Sequence, residues 1–305
     1  MTLVQFFESV WSYFSGITIS KTLKISLAMF MVYIAFDIYR KGLEKSLTMN
    51  VIKNSAASMG MLMINIIFIP IVYFAVEYFQ AAYDLLGIPY LPQSTWDTVP
   101  IWLAVIISIF AYDFADYWNH RIMHNKLLWP IHAIHHSDTD VNLLTTYRVH
   151  FLEVFVMKLS YVILLSWLGS TPEIAVLGVT VLSLHNAYVH ANVDWDHGPF
   201  KFLIASPRFH RWHHSTDPVA YGKNLANVIP LYDYIFGTYY NPHPCRTPMG
   251  ADGVPDTDVV KLTLFPFVSW ANMLKGWFAK RQESPVNASV EAEANQEQVL
   301  TTQGR

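Results

Sequence analysis

The sequence predicts an all-α, polytopic helical membrane protein: about four or five transmembrane or membrane-embedded helices under a cytosolic, histidine-rich cap. Three observations predict it. Hydrophobic residues make up 53% of the 305 and charged residues only 14%. Several apolar stretches approach the roughly 20 residues that cross a bilayer. Eight of the 13 histidines fall into three tight clusters. An average soluble domain is about 25% charged, so this chain lacks the polar surface to stay in water. The net charge of -3 leaves no basic face for nucleic acid. The single cysteine, Cys245, excludes an intrachain disulfide and a cysteine-built zinc site. The opening MTLVQFFESVWSYF lacks the basic n-region of a removable signal, so none is expected.

Spans are expected near 22–40, 58–80, 99–119, 151–169 and 173–190. The last two are joined by Gly169-Ser170-Thr171-Pro172, a helix stop followed by a cap and a proline restart. They read as a tight helical hairpin, one pair of which could dip into the membrane without crossing it. Charge asymmetry orients the spans. Arg40, Lys41, Lys45 and Lys53 follow the first, Arg121, Lys126 and Arg148 follow the third, and Lys201, Arg208, Arg211 and Lys223 follow the hairpin. The segment 81–98 has no Lys or Arg. The positive-inside rule then puts 41–57, 120–150 and everything beyond about 191 in the cytoplasm. Four regions follow: membrane helices over 1–98, a catalytic membrane and cap region over 99–245, a cytosolic or interfacial segment over 246–281, and a disordered polar tail over 282–305.

The clusters are His120-Arg-Ile-Met-His124, His132-Ala-Ile-His135-His136 and His210-Arg-Trp-His213-His214. On a helix, residues three or four apart share a face, so each cluster aims two or three imidazoles one way, as metal ligation needs. A lone histidine is more often a satisfied core or surface residue. Yet at this histidine content one HxxHH arises by chance in roughly one chain in fifty, so two copies beside an HxxxH are no accident. Imidazole suits iron, zinc, copper and nickel. Eight exceed what one metal holds, and two metals sharing them is the economical reading. His190 is a ninth candidate ligand at the end of the fifth span, with Asn186 and His185 as competitors. His150, His197 and His243 stand outside the clusters and default to other roles. Asp113, Asp116 and His120 share a helix face. A metal-bound histidine usually donates its second N–H to a carboxylate or carbonyl, which makes Asp116 the candidate catalytic carboxylate; helix-to-helix contact is the plainer alternative. Glu153, Asp138, Asp140 and Asp217 are weaker candidates for the same supporting role. The aromatic segment Trp195–Trp212 reads equally as interfacial contact, as a lid over the site or as core packing.

The segments DFADYWNHRIMHNKLLWPIHAIHHSDTDVNLLTTYR, NAYVHANV, SPRFHRWHHSTD and YGKNLANVIPLYDYIFGTYY resemble the fatty acid hydroxylase/sterol desaturase superfamily over about 110–242. The resemblance implies two irons at the membrane surface, with O2 and two electrons used to hydroxylate or desaturate a lipid. Carried over residue by residue, it implies His120, His124, His132, His135, His136, His190, His210, His213 and His214 as ligands. Some family members have a histidine where Asn186 stands, which puts full imidazole coordination of one metal in doubt. No His-Pro-Gly-Gly haem segment is present. A separate donor is therefore expected: a cytochrome b5-like protein, a ferredoxin or a reductase. The resemblance favours hydroxylation over desaturation. Purified protein is expected to carry iron, or zinc in its place, because zinc binds imidazole well.

Two rivals are weaker. A zincin-like membrane hydrolase has Glu beside its first histidine, where this chain has Arg121. A metal transporter places polar ligands near the bilayer midplane on broken helices, not at helix ends. The membrane is expected to be a bacterial inner membrane or the endoplasmic reticulum. The lipid itself is not readable.

Overall fold

The computed structural model describes residues 17–279 together with Glu8 and Ser12. The segment read for a leader and the polar tail beyond 282 lie outside the described residues. Among these the fold is helical, with no strand and one isolated bridge, Ser215 to Met249. The long helices are α1 (Ile17–Lys41), α2 (Met49–Leu85), α3 (Ile101–Met123), α5 (Phe151–Leu165) and α6 (Pro172–Val189). Between and after them come shorter ones: α4 (Trp129–His136), α7 (Pro207–His213) and α8 (Leu231–Ile235). A helix over 259–279, α9, follows.

Local signals set the boundaries. Thr48, Thr171 and Ser206 cap α2, α6 and α7 with side-chain oxygens on the backbone N–H of Val51, Ile174 and Phe209. Pro172 and Pro207 sit in first turns, where their missing N–H costs nothing. Gly169 ends the 3-10 extension of α5, Ser166–Leu168, at φ 54, and an added Cβ there would meet the Leu91 carbonyl oxygen at 2.4 Å. Only glycine fits both demands.

All five expected spans fold as helices. Among the described residues, three are long and apolar enough to cross a membrane: Met49–Leu85, Ile101–Met123 and Phe151–Leu168. At 37 residues, α2 is roughly 56 Å long, nearly twice the hydrocarbon thickness of a bilayer. Its first turns carry Asn54, Ser55 and Ser58, all buried. That end lies inside the histidine-rich cap, which is why apolarity alone placed the helix start near 58.

Contacts along the bundle give its directions. Asn65 donates to the Val149 carbonyl, Phe68 stacks on Phe151, and Ser166 donates to Gln80, so α2 and α5 run the same way. Antiparallel to them, α3 pairs Asp116 with Tyr161 of α5, while Ser108 meets α6 at Ile174 and Gly178. The hairpin expectation needs correction here. Gly169–Pro172 reverses the chain, but α5 and α6 each pack on α3 and splay from one another, and a cavity fills the space between them.

The cap is stapled to α2 by Arg148, which is fully buried. Its guanidinium donates to Ser137 and Asn54 and lies 3.9 Å from Asp138. Ala57 and Met61 of α2, Ile134 of α4 and Leu262 of α9 form the apolar contact beneath it.

Candidate metal centre

Helix ends bring the histidines together. The last turn of α3 supplies His120, and His124 caps it. His190 caps α6, while α4 and α7 carry the two HxxHH runs. The nine converge as two groups: His120, His124, His132, His136 and His213 in one, and His135, His190, His210 and His214 in the other. Within each group the ligand nitrogens all lie within 4.8 Å of one another. The groups abut, with His136 stacked on His214 at 4.6 Å between ring centres.

Helix geometry explains the division. Residues i and i+4 differ by about 40° around a helix and i+3 and i+4 by about 100°. In α4, His132 and His136 serve the first group and His135 the second. In α7 the allegiance is reversed: His210 and His214 serve the second group and His213 the first.

Proton bookkeeping then shows what the groups lack. Carbonyl oxygens only accept, so each Nδ1 bound to one must donate. His120 donates to the Leu225 carbonyl at 2.7 Å, His213 to Lys223 at 2.7 Å and His190 to Asn186 at 2.6 Å. His132 donates Nδ1 to the Glu153 carboxylate at 2.9 Å. A neutral imidazole with its proton on Nδ1 leaves a bare lone pair on Nε2. Yet Nε2 of His120 and Nε2 of His132 sit 2.9 Å apart, with that of His136 3.2 Å from the latter. Nε2 of His124 and of His213 have no hydrogen-bond partner although buried. In the second group the Nε2 atoms of His135, His190, His210 and His214 follow one another at 3.1, 2.9 and 3.2 Å.

Facing lone pairs repel, and a cation between them relieves it. At metal–nitrogen distances of about 2.1 Å, neighbouring ligands of one ion sit roughly 3 Å apart, which is the spacing found. The donor set fits a metal in each group. Protonation is the poorer remedy. Burial first, and neighbouring imidazoles second, hold His124, His135, His136, His210, His213 and His214 well below the ordinary histidine value. Burial, with a smaller push from His132 and against the bond to Asn186, brings His190 to about 4. These seven rings are neutral and ready to ligate.

Of the carboxylates weighed from sequence, only Glu153 touches one of the nine. Asp116 does not hold His120, whose Nδ1 turns to Leu225; Asp116 accepts from the Tyr161 hydroxyl instead. Asp138 accepts from Thr145 and from the backbone N–H of Asp140, and Asp217 caps the 3-10 turn Pro218–Ala220. Asn186 holds His190 by its backbone and gives its side-chain oxygen to Thr146, and His185 joins neither group. His150 caps α5, and His197 pairs with Tyr188.

Sequence reasoning missed a strap over 223–229. Two of its carbonyls, Lys223 and Leu225, orient His213 and His120 of the same group. Between them Asn224 is the sole described non-glycine residue with positive φ, 57. Its side chain donates to the Phe209 and Tyr240 carbonyls and accepts from the Tyr240 N–H. Asp233 accepts from the N–H of Leu225 and of Ala226, and Asp113 from those of Val228 and Ile229. The usable signal was Asn224 itself, a residue that tolerates left-handed backbone.

A cavity of about 500 Å³ borders both groups at His120, His132, His135 and His210. It runs between α3, α5 and α6 past Met123, Met157, Leu182 and Ala187 to Asp116, Lys158 and Tyr161. Thr180, Ser183 and Leu184 of α6 line it and are also exposed, so it opens through the side of the bundle.

Residues 105–238 match the fatty acid hydroxylase family model. Ornithine lipid hydroxylase OlsE of Rhizobium tropici is 31% identical over 159 residues, 52% of this chain and 48% of that protein. Human alkylglycerol monooxygenase is 29% identical over 163 residues, 53% of this chain and 34% of that protein. Very-long-chain aldehyde decarbonylase GL1-7 of rice is 26% identical over 214 residues, 65% and 33% respectively. The matched parts thus cover half or less of these relatives, and no solved structure gives a significant match. Every described cluster histidine lies within the matched segment, and over that segment the chain is similar to the fatty acid hydroxylase/sterol desaturase superfamily.

Proposed function

We propose that this chain is a membrane-embedded, O2-dependent di-iron oxidoreductase that hydroxylates a C–H bond of a lipid. One observation carries the reading: two abutting groups of imidazoles, with ring nitrogens at ligand spacing, border a single mostly apolar cavity that opens sideways from the bundle. The nine histidines would hold two irons, His120, His124, His132, His136 and His213 the one, His135, His190, His210 and His214 the other. Bound there, the irons supply the oxygen activation and C–H oxidation that no side chain can perform.

The chain's own residues do the rest. Met123, Met157, Leu182 and Ala187 exclude water and align the lipid beside His120 and His132. Glu153 and the carbonyls of Leu225, Lys223 and Asn186 keep the ring protons on Nδ1, so Nε2 stays free to ligate. The basic residues gathered at the histidine-rich end favour a cytoplasmic orientation. Electrons come from a separate protein donor. The names of the relatives, an ornithine lipid hydroxylase and an alkylglycerol monooxygenase, support a lipid substrate.

The test is mass spectrometry of whole lipid extracts from cells expressing the chain or its His213→Ala/His214→Ala form, which strips a ligand from each group. A lipid gaining one oxygen only with the intact clusters is the expected result. A product that has lost two hydrogens would make the enzyme a desaturase with the same metals. No histidine-dependent change, with iron and O2 supplied, would overturn the oxygenase reading.

A further inference from the structure

The far end of the cavity holds charges that ligation does not use. Lys158 lines it from α5, and among the described residues its ammonium makes no hydrogen bond or ion pair. The ammonium lies 5.4 Å from the centre of the Tyr161 ring and acts on the Asp116 carboxylate through space. The Tyr161 hydroxyl is committed to one carboxylate oxygen of Asp116, and no described residue donates to the other. Asp116, Lys158 and Tyr161 thus stand together on the wall of a cavity inside membrane-crossing helices. Ionisable groups there are costly and mark binding or transport sites. A lysine with no such task would extend along its helix toward the headgroup layer.

We propose that Lys158, balanced by Asp116 and Tyr161, is a subsite for an anionic oxygen of the lipid, a phosphate or a carboxylate. The inference deepens the oxygenase reading and rests on it for the word substrate. Lys158 lies five residues along α5 from Glu153, which holds His132, so its Cα is about 7.5 Å further along the helix axis than that of Glu153. A lipid anchored there presents a carbon only a few bonds from its anionic group to the metal groups. The geometry selects headgroup-proximal oxidation over mid-chain oxidation. The opening past Thr180, Ser183 and Leu184 leaves the acyl chains in the bilayer.

The test measures retention, not turnover. Full-length, metal-loaded protein is placed in nanodiscs holding equal amounts of phosphatidylglycerol, an N-acyl amino acid lipid and diacylglycerol with matched chains. Native mass spectrometry then counts the lipids that stay bound. Wild type is expected to retain an anionic lipid over diacylglycerol, and which of the two it keeps distinguishes phosphate from carboxylate. Lys158→Met should reduce that preference about tenfold and Lys158→Arg should keep it. Asp116→Asn should raise it, because the competing negative charge is gone; a merely damaged fold would not act in that direction. Equal retention of all three lipids by wild type, or an unchanged preference in Lys158→Met, would overturn the subsite. Selective retention without any oxidised product in cells would refute the oxygenase reading alone.

Discussion

Glu153 joins the chemistry of the site to one metal group only, which makes it the sharpest probe. Its Oε1 accepts the Nδ1 proton of His132 at 2.9 Å in a buried pair. His132 in turn belongs to the group of five and not to the group of four. A hydrogen bond to a charged group contributes about 1.5–3 kcal/mol and a neutral one about 0.5–1.5. Glu153→Gln keeps an acceptor without the charge and should cost roughly 1 kcal/mol. Glu153→Ala leaves the ring proton unpartnered and should cost about 1.5–3 kcal/mol. At 1.4 kcal/mol per decade these become roughly fivefold for Gln and ten- to hundredfold for Ala in affinity for one metal, the range seen when such ligand-supporting partners are removed. The assay is competition with a chromophoric chelator, followed by metal content per chain. Stoichiometry should fall from two toward one, with the second ion held as in wild type. Equal loss of both ions, or Gln as damaging as Ala, would refute the assignment of Glu153 to a single group.

Asn224→Ala should destabilise by about 4–5 kcal/mol, the sum of left-handed strain of about 1–2 kcal/mol and roughly 1 kcal/mol for each of three lost hydrogen bonds. Asn224→Gly should recover only the strain, and thermal unfolding with and without metal separates the two. Gly178→Leu forces α3 and α6 apart, because even a Cβ there meets the Ser108 hydroxyl oxygen at 2.3 Å. A loss of about 1–3 kcal/mol is expected, and Ser108→Gly in the same chain should return part of it. The histidines give the metal-free protein an acid limit. The folded pKa values of His124, His135, His136, His190, His210, His213 and His214 lie below the ordinary value, so the unfolded chain binds more protons between the two, and stability present above about pH 6.5 is lost as pH falls toward the folded values. The midpoint of unfolding of metal-free protein, followed from pH 8 to 5, should drop below pH 6.5; a flat profile would mean that the imidazoles are not buried neutral.

Much of the fold was legible because the membrane simplifies the signal. In lipid every backbone group must pair within its own helix, so apolar runs of the right length map directly onto helices. What apolarity could not show was where a helix continues beyond the lipid. The cap end of α2 is helical and buried, yet its Asn54 serves Arg148 and Thr139 of the cap instead of the bilayer, and Ser58 donates back to the Asn54 carbonyl. The splaying of α5 and α6 was hidden for a related reason. Gly169-Ser170-Thr171-Pro172 dictates that the chain turns, but the angle between the arms is set by what each packs against, and both pack on α3.

The metal centre was legible to the extent that ligation is written in side chains. Spacings of three and four residues brought the nine histidines forward, and the same spacing carries the division between the groups: i with i+4 on one, i+3 on the other. That the two HxxHH helices cross over, each giving its pair to one group and its single ring to the other, depends on how α4 faces α7, and no local pattern encodes it. The supporting groups were legible only in part. Glu153 could be suspected as a carboxylate one helix away, whereas Lys223 and Leu225 act through their carbonyls, which every residue possesses. A backbone carbonyl becomes a specific partner only when its segment is held rigidly, and the clues are therefore displaced onto Asn224, Asp113 and Asp233. Asp116 attracted attention by lying one turn from His120 on the same helix. A carboxylate so placed on a straight helix runs parallel to the imidazole instead of meeting its ring nitrogen, and in this structure it turns to Tyr161 across the cavity.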